Sequence, residues 1–247
     1  ISGMSDSDGS PSTWTATQGD RTEFYALASN AFNASPWALG RYHSTLYIRN
    51  NTSDFTLAVE DGYAGRLLKD VKKVVQKFSD LPLFAPDGIV VEVKGDDTNG
   101  FDNYWVEYQK DDDVNTMGVW RECVAPDTVL GLDADTMPHV LVRNEDGTFT
   151  FGPKDWDVRK CGDAERNPDP SFVGQPIEAI LFHKNRLGFL TKENLVLSEA
   201  GKFYNFFRTT LLTLLDTDPI DIAASHIKVS LLRHAVPYQR ELLLFSN

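Results

Sequence analysis

The acidic stretch DDDVNTMGVWRE, residues 111–122, is the sharpest candidate for a metal site in the sequence. Its side-chain oxygens fall at the first, third, fifth and twelfth positions of a calcium-binding loop, at Asp111, Asp113, Asn115 and Glu122. The sixth position, which needs glycine for a sharp turn, is Thr116, and the flanking residues alternate like strands rather than helices. An acidic loop between two strands explains the same residues, so calcium remains only an alternative.

No other spacing in the sequence assembles familiar catalytic groups. The five histidines show neither HxxxH nor HxH spacing, which speaks against zinc, and neither a GxSxG motif nor a P-loop occurs. Among 36 acidic residues, nothing singles out the two carboxylates that sugar cleavage requires. Cys123 and Cys161 are too few for a disulfide framework, and free buried thiols explain them more simply than pairing. These observations predict no cofactor and favour a structural or interaction role over an enzyme.

The charge of the chain is distributed unevenly along its 247 residues. Residues 1–150 hold 12 of the 24 basic and 24 of the 36 acidic residues, whereas residues 151–247 hold 12 of each, so the first part carries the net charge of −12. Tight binding to nucleic acid needs basic groups that release phosphate counterions, which this balance opposes. An acidic surface suits a path that nucleic acid slides past without sticking. No run approaches the roughly 20 apolar residues of a membrane span.

The pattern before residue 151 predicts helices packed on a mostly antiparallel sheet. Asp20 and Glu23 resemble a capping box at the start of a helix over residues 21–32. The stretch GRLLKDVKKVVQKFSDLP, residues 65–82, places apolar residues on one helical face and lysines on the other. Strand-like alternation follows or intervenes at residues 44–49, 55–59, 89–94, 104–109 and 119–124, and in a hairpin over residues 139–151.

After residue 151 the pattern changes to a β-meander. Short apolar runs at residues 177–183, 187–191 and 195–199 are separated by tight polar breaks, and a second strand pair follows at residues 228–246. The two strand groups form a weak internal repeat, which suggests β-propeller blades.

The predicted fold class is therefore α+β and β-rich: an antiparallel sheet with packed helices, followed by a meander resembling part of a propeller. Its predicted divisions are an irregular segment at 1–19, an acidic α+β domain at 20–151, an ordered linker or loop at 152–176 and the meander at 177–247.

An ordered series of aromatic, arginine, glycine, proline and acidic residues runs through residues 156–221. Its members include Trp156, Arg159, Gly162, Asp163, Asn167, Pro168, Phe172, Arg186, Gly188, Asp218, Pro219 and Asp221. Upstream, the segments FSDLP, APDG, TMPHVLVR and DGTF occur in that order. Together these motifs resemble the tail tubular protein B, or tail nozzle, family of short-tailed bacteriophages, from about Phe24 onward.

That resemblance implies an internal fragment of a longer virion protein, with residues 20–151 in a platform and the meander opening a propeller. Members of the family assemble in the host bacterial cytoplasm as a six-fold ring below the tail adaptor, tail tubular protein A. The ring forms the lower tail tube, through which double-stranded DNA is ejected without specific binding, and tail fibre protein attaches near its upper junction.

The Arg-Leu-Gly sequence at residues 186–188 is expected to lie in one blade. Gly188 allows close approach of strands, and Arg186 is expected to pair with the carboxylate of Asp163 or Glu199, or else to lie on a solvated edge. Two other functions remain open at this point: a carbohydrate-active propeller and a calcium-stabilised receptor-binding domain.

Overall fold

Strands and turns make up the part of the chain that the computed structural model describes. The described residues are 4–5, 11–12, 36–42, 44–59, 64, 68–95, 103–110, 117–224 and 230–246. Within these ranges no α-helix occurs, and one 3-10 turn lies at Phe78–Asp80. The chain divides into two compact units, residues 1–121 and 122–247, which are described separately.

The first unit holds two hairpin-like pairs and one four-stranded sheet. Its strands are β1 Met4–Ser5, β2 Pro11–Ser12, β3 Trp37–Tyr42, β4 Thr45–Asn50, β5 Val74–Val75, β6 Val90–Val93, β7 Tyr104–Lys110 and β8 Gly118–Cys123, whose last two residues belong to the second unit. β1 pairs with β2 and β3 with β4, both antiparallel. The larger sheet has the order β5-β6-β7-β8, with β5 parallel to β6 and β6 antiparallel to β7.

A cluster of valines forms the core of this sheet. Val75, Val91, Val93 and Val106 are buried together, and Trp120 packs against them. The branched β-carbon of valine suits the pleated backbone of a strand, which explains why this stretch is extended. The indole Nε1 of Trp120 donates to the carbonyl of Pro82 at 2.9 Å and so attaches the loop after the 3-10 turn to the sheet.

The α+β fold with packed helices is wrong for the described part of the chain. Residues 68–82 contain the short strand β5 and the 3-10 turn instead of the predicted helix. The apolar residues fit helical spacing, but Val75 is buried beside β6 while Val74 and Phe78 are exposed, so tertiary contacts override the pattern. The predicted helix at 21–32 lies outside the described residues. Residues 55–59 are irregular rather than a strand.

The second unit is built around a four-stranded antiparallel meander. Its strands are β9 Val140–Arg143, β10 Phe149–Gly152, β11 Ala179–His183, β12 Arg186–Thr191, β13 Asn194–Leu197, β14 Ile220–Ala223, β15 Leu232–Tyr238 and β16 Glu241–Ser246. The meander runs β11-β12-β13-β14 in chain order, and the pairs β9–β10 and β15–β16 are antiparallel hairpins. The strands predicted at 177–183, 187–191 and 195–199 are present, and their ends differ from the prediction by at most two residues. The comparison with propeller blades stays a prediction.

Apolar clusters cover both faces of the meander. On one face Phe189 and Val196 are cross-strand neighbours and pack with aromatic residues of the loops. On the other face Leu190 and Leu195 are paired, and Leu232 of β15 packs against that side. Because β12 lies between the two clusters, nearly all of its side chains are buried. The meander is therefore the structural centre of the second unit.

Gly188 allows close packing between three strands of this meander. It lies opposite Leu181 on one side and Leu197 on the other. A β-carbon at this position would lie 2.5 Å from Cδ2 of Leu197 and 3.0 Å from Cγ of Leu181. The close approach expected from the sequence is thus present, and leucine side chains fill the space.

We predict that Gly188→Ala lowers the free energy of unfolding by about 1–3 kcal/mol, because the added methyl group overpacks the site. Urea unfolding measures the change. Gly152→Ala is the matched control, since a β-carbon there meets nothing within 4 Å and should change stability by less than about 0.5 kcal/mol. Equal stabilities of the two variants would contradict this packing.

Candidate functional site: two buried arginines and the loops they hold

The guanidinium group of Arg159 joins three loop segments of the second unit. Its side chain is only 2% exposed. Nε donates to the carbonyl of Asn167 at 2.7 Å, Nη1 donates to the carbonyl of Val129, and Nη2 pairs with Asp169 at 2.9 Å. The guanidinium carbon also lies 4.5 Å from the ring centroid of Phe207, a cation–π distance. One side chain thus satisfies backbone acceptors from separate loops.

Asn167 performs a similar task with its amide side chain. Nδ2 donates to the carbonyls of Cys161 and Arg208, both at 3.0 Å, and Oδ1 accepts the backbone N–H of Arg208 at 3.0 Å. The amide therefore pairs with both backbone groups of a residue 41 positions away, in the manner of a strand neighbour. Asn167 is 2% exposed, so these bonds are shielded from water.

The turn that precedes Asn167 is shaped by Gly162 and Asp163. Gly162 has a φ of +73°, in the left-handed region that favours glycine, and a β-carbon there would lie 2.7 Å from Cδ1 of Leu211. The carboxylate of Asp163 accepts the backbone N–H groups of Glu165 and Arg166 and pairs with the Arg166 guanidinium. These hydrogen bonds from Arg166 and Glu165 hold the pKa of Asp163 below its ordinary value, against the opposing effect of burial.

Arg186 is the second buried arginine, and it contacts backbone carbonyls rather than carboxylates. Nη1 donates to the carbonyls of Ser198 and Asp218 at 2.7 and 2.6 Å, and to that of Thr217 at 3.2 Å. Nη2 donates to the carbonyl of Asp216 at 2.7 Å. Arg186 is 6% exposed, so it holds the loop before β14 against the start of β12 from a buried position.

Both expected environments of Arg186 are therefore wrong. Asp163 pairs with Arg166, and the carboxylate of Glu199 accepts from Asn205 at 2.6 Å and from Lys202 at 3.0 Å. A solvated edge is excluded by burial. The partners of Arg186 are main-chain oxygens 12 to 32 residues downstream, and no side-chain pattern marks such atoms in a sequence.

The remaining motif residues extend the same arrangement. Trp156 and Phe172 pack with Phe206, with ring centroids 5.8 and 5.1 Å apart from it, in the apolar cluster over the meander. The carboxylate of Asp221 accepts the backbone N–H of Ser171 at 2.7 Å. Pro168 and Pro219 lie in the loop segments that these contacts hold. The sequence series thus marks residues that fix loops around the meander.

Asp218, which is buried, forms an ion pair with the partly exposed Arg208. Oδ2 of Asp218 lies 3.5 Å from Nε of Arg208 and accepts the backbone N–H of Leu215 at 2.9 Å. Sequence analysis did not single out Arg208. Its importance comes from contacts with residues far along the chain, including Asn167, and short-range spacing carries no signal for it.

The metal candidate is only partly described. Asp111, Asp113 and Asn115 lie outside the described residues. Glu122 is described, and its carboxylate accepts the Thr210 hydroxyl at 2.6 Å and the backbone N–H of Leu211 at 2.7 Å. Among the residues that the structure describes, no group of three or more His, Cys, Asp or Glu side chains could hold a metal ion. None of the described residues forms a helix long and apolar enough to cross a membrane.

Arg159, Asn167 and Arg186 act on the loops through hydrogen bonds. Burial, with the nearby charge of Glu122, raises the pKa of the Cys161 thiol to about 12, so this thiol stays protonated at neutral pH and is a poor nucleophile. Its Sγ donates to the carbonyl of Arg208 at 3.3 Å. The arginines hold carbonyl groups in fixed positions. The arrangement therefore maintains shape.

Comparison with known proteins identifies the family. A family model described as bacteriophage nozzle protein matches residues 4–247. The chain belongs to the bacteriophage nozzle protein family. It is 39% identical over 219 residues to the tail tubular protein gp12 of Escherichia phage T7, which covers 87% of this chain and 27% of that protein. The chain thus spans about a quarter of the length of that relative.

Membership of the nozzle family confirms the family predicted from the ordered motif series. It makes the chain a structural component of a phage tail nozzle and hence of the virion. The residues of that series lie in the second unit, in the loops that Arg159 and Arg186 hold and in the meander that these loops enclose.

We predict that Arg186→Lys lowers the free energy of unfolding by about 2–4 kcal/mol, because one ammonium group cannot reach four carbonyls fixed around a planar guanidinium. Chemical unfolding monitored by tryptophan fluorescence measures the loss. The control is Arg240→Lys, an exposed position expected to change stability by less than about 0.5 kcal/mol. If Arg186→Lys is as stable as this control, the four hydrogen bonds do not carry the stability assigned to them.

Proposed function

We propose that this chain forms part of the wall of a tail nozzle through which double-stranded DNA is ejected. The family match over residues 4–247 carries this proposal. Because the chain spans about a quarter of the related tail tubular protein, we assign the channel to the whole assembled protein and not to this chain alone. The chain contributes a rigid, β-rich portion whose loops are fixed by buried polar contacts.

The charge of the chain supports passage of DNA without adhesion. The net charge is −12, and its excess acid lies within residues 1–150. Exposed carboxylates such as Asp127, Asp135 and Glu145 repel phosphate groups and offer no counterion release on contact. A wall of this kind weakens non-specific binding of DNA, so DNA passes without specific contacts.

The assembly that we propose is the ring implied by the resemblance to the tail nozzle family. Copies of the protein form a six-fold ring that contacts the tail adaptor, tail tubular protein A, and the tail fibre protein, after synthesis and assembly in the host bacterial cytoplasm. Adjacent copies repeat the negative charge, so contacts between them must offset like-charge repulsion. Large interfaces with apolar centres are typical of such homo-oligomers.

We also propose that the chain has no catalytic activity. In the described ranges, the carboxylates of the network are engaged with backbone N–H groups or cations, as in Glu122, Asp163 and Glu199. These contacts hold the three carboxylates in fixed positions, whereas cleavage of a glycosidic bond needs two carboxyl groups that face each other across an open cleft. The role of the site is mechanical.

We predict that the protein does not retain duplex DNA at about 0.05 or 0.2 M salt, because it has too few basic groups to release counterions. A filter-binding assay measures retention. The triple variant Asp127→Lys, Asp135→Lys, Glu145→Lys should gain DNA binding that weakens as salt rises. The matched neutral variant, with Asn, Asn and Gln at these positions, should gain little.

Wild-type binding that strengthens as salt falls would contradict the proposed non-adhesive wall. A triple-lysine variant that binds no better than the neutral variant would show that these three positions do not govern contact with DNA.

A further inference from the structure

The β9–β10 hairpin presents an uncovered apolar surface. Leu141, Phe149 and Phe151 are between 62% and 70% exposed, and the antiparallel register places Phe151 opposite Leu141 and Phe149 opposite Arg143. Cross-strand partners point to one face, so these four residues form a single surface, which we call the hairpin patch. Side chains of this size are rarely left exposed together on a protein that remains alone.

An open groove of about 860 Å³ adjoins the hairpin patch. Phe151 belongs to both, and Met137, His139, Ile177 and Ile180 are among the other lining residues. Ile180 is 66% exposed on β11, which is the edge strand of the meander. The groove therefore continues the apolar surface from the hairpin to the edge of the central sheet.

A second apolar surface lies elsewhere on the same unit, on residues 209–216. We call this segment the leucine loop. Leu212 is 58% and Leu214 82% exposed. The described lining of the groove comes from residues 136–139, 151 and 175–180, so the leucine loop of a chain does not fill the groove of that chain.

The base of the leucine loop is held firmly although its tip is exposed. The carboxylate of Glu122 accepts from Thr210 and Leu211, and Arg208 Nη2 donates to the carbonyl of Thr213 at 3.1 Å. Asp218 accepts the N–H of Leu215 at the other end. A loop fixed in this way loses little conformational entropy when its leucines are buried by a partner.

The two surfaces carry charges of opposite sign. Arg143 is exposed on the hairpin patch, and Asp216 is exposed at the end of the leucine loop. Neither side chain has an ion-pair partner among the described residues. Glu178 also lines the groove, but its carboxylate is already paired with Arg233, so the unpaired charges are Arg143 beside the recess and Asp216 on the projection.

We propose that the leucine loop of one copy docks on the hairpin patch and groove of a second copy. Such a contact is heterologous, because different surfaces of each copy meet, and repeated contacts of this kind close into a ring when the rotation allows. The proposal rests on the proposed homo-oligomeric wall and names the surfaces that build it. Leu212 and Leu214 enter the groove beside Phe151, and Asp216 pairs with Arg143.

Two variants of the full-length protein test the contact. Phe151→Asp damages the recess and Leu214→Asp damages the projection, and each alone should weaken self-association about 30-fold or more. Both positions are exposed, so folding should persist, as circular dichroism can check. Mixing the two should restore one contact, between the intact loop of the Phe151→Asp chain and the intact recess of the Leu214→Asp chain. Multi-angle light scattering should then find a complex of two chains that grows no further.

Charge exchange gives a second, independent measurement. Arg143→Asp and Asp216→Arg should each weaken association about two- to tenfold, and the double variant should recover most of the loss. The control Arg240→Asp, which lies on neither surface, should associate as wild type does.

The outcomes separate this inference from the proposed function. If wild-type protein assembles and both apolar variants assemble equally well, the docking is wrong and the nozzle wall stands. Loss of assembly in Phe151→Asp alone, with Leu214→Asp unaffected, also overturns the docking. Wild-type protein that stays monomeric at all concentrations overturns the proposed homo-oligomer and the docking with it.

Discussion

The second unit depends on the burial of two guanidinium groups that contact mainly backbone carbonyls. Removing a charged group from water costs several kcal/mol, and this cost is offset only when hydrogen bonds replace the lost hydration. Arg159 and Arg186 meet that condition with carbonyls of distant loop segments. The loops must therefore keep their positions for the arginines to remain buried. In turn, the arginines must stay buried so that the backbone carbonyls of the loops keep their hydrogen-bond donors.

This mutual constraint explains how long irregular segments enclose a small sheet. Residues 153–178 and 198–219 contain no strand, so the ladder bonds that satisfy most backbone groups are absent there. Backbone–backbone bonds outside strands satisfy some of these groups, and side chains satisfy others: Asn167 pairs with both backbone groups of Arg208, and Glu122 accepts from the leucine loop. Apolar clusters on both faces of the meander bury the sheet that these segments enclose. In the described part of the second unit, this arrangement gives the loops a fixed shape without α-helices.

Sequence patterns identified the meander because its strands are short, apolar and separated by tight polar turns. The spacing of these apolar runs along the chain was therefore enough to predict the strands. The helix expected at 65–82 failed for the opposite reason, since the burial of Val75 beside β6 overrode a helical spacing of apolar residues. The motif series singled out Arg159, Asn167 and Arg186, and their place in a family pattern stays a prediction. The series gave no information about their partners, which are mostly main-chain oxygens brought close only by the complete fold.

Buried side chains order the loops of the second unit as firmly as a sheet ladder orders its strands. Native-state hydrogen exchange tests this directly, because slow exchange requires a backbone N–H that is buried and bonded. The amides of Arg208, Leu211 and Leu215 donate to the side chains of Asn167, Glu122 and Asp218. The account predicts that they exchange as slowly as the amides of β12 and β13. Exchange as fast as that of the exposed turn at residues 145–147 would contradict it.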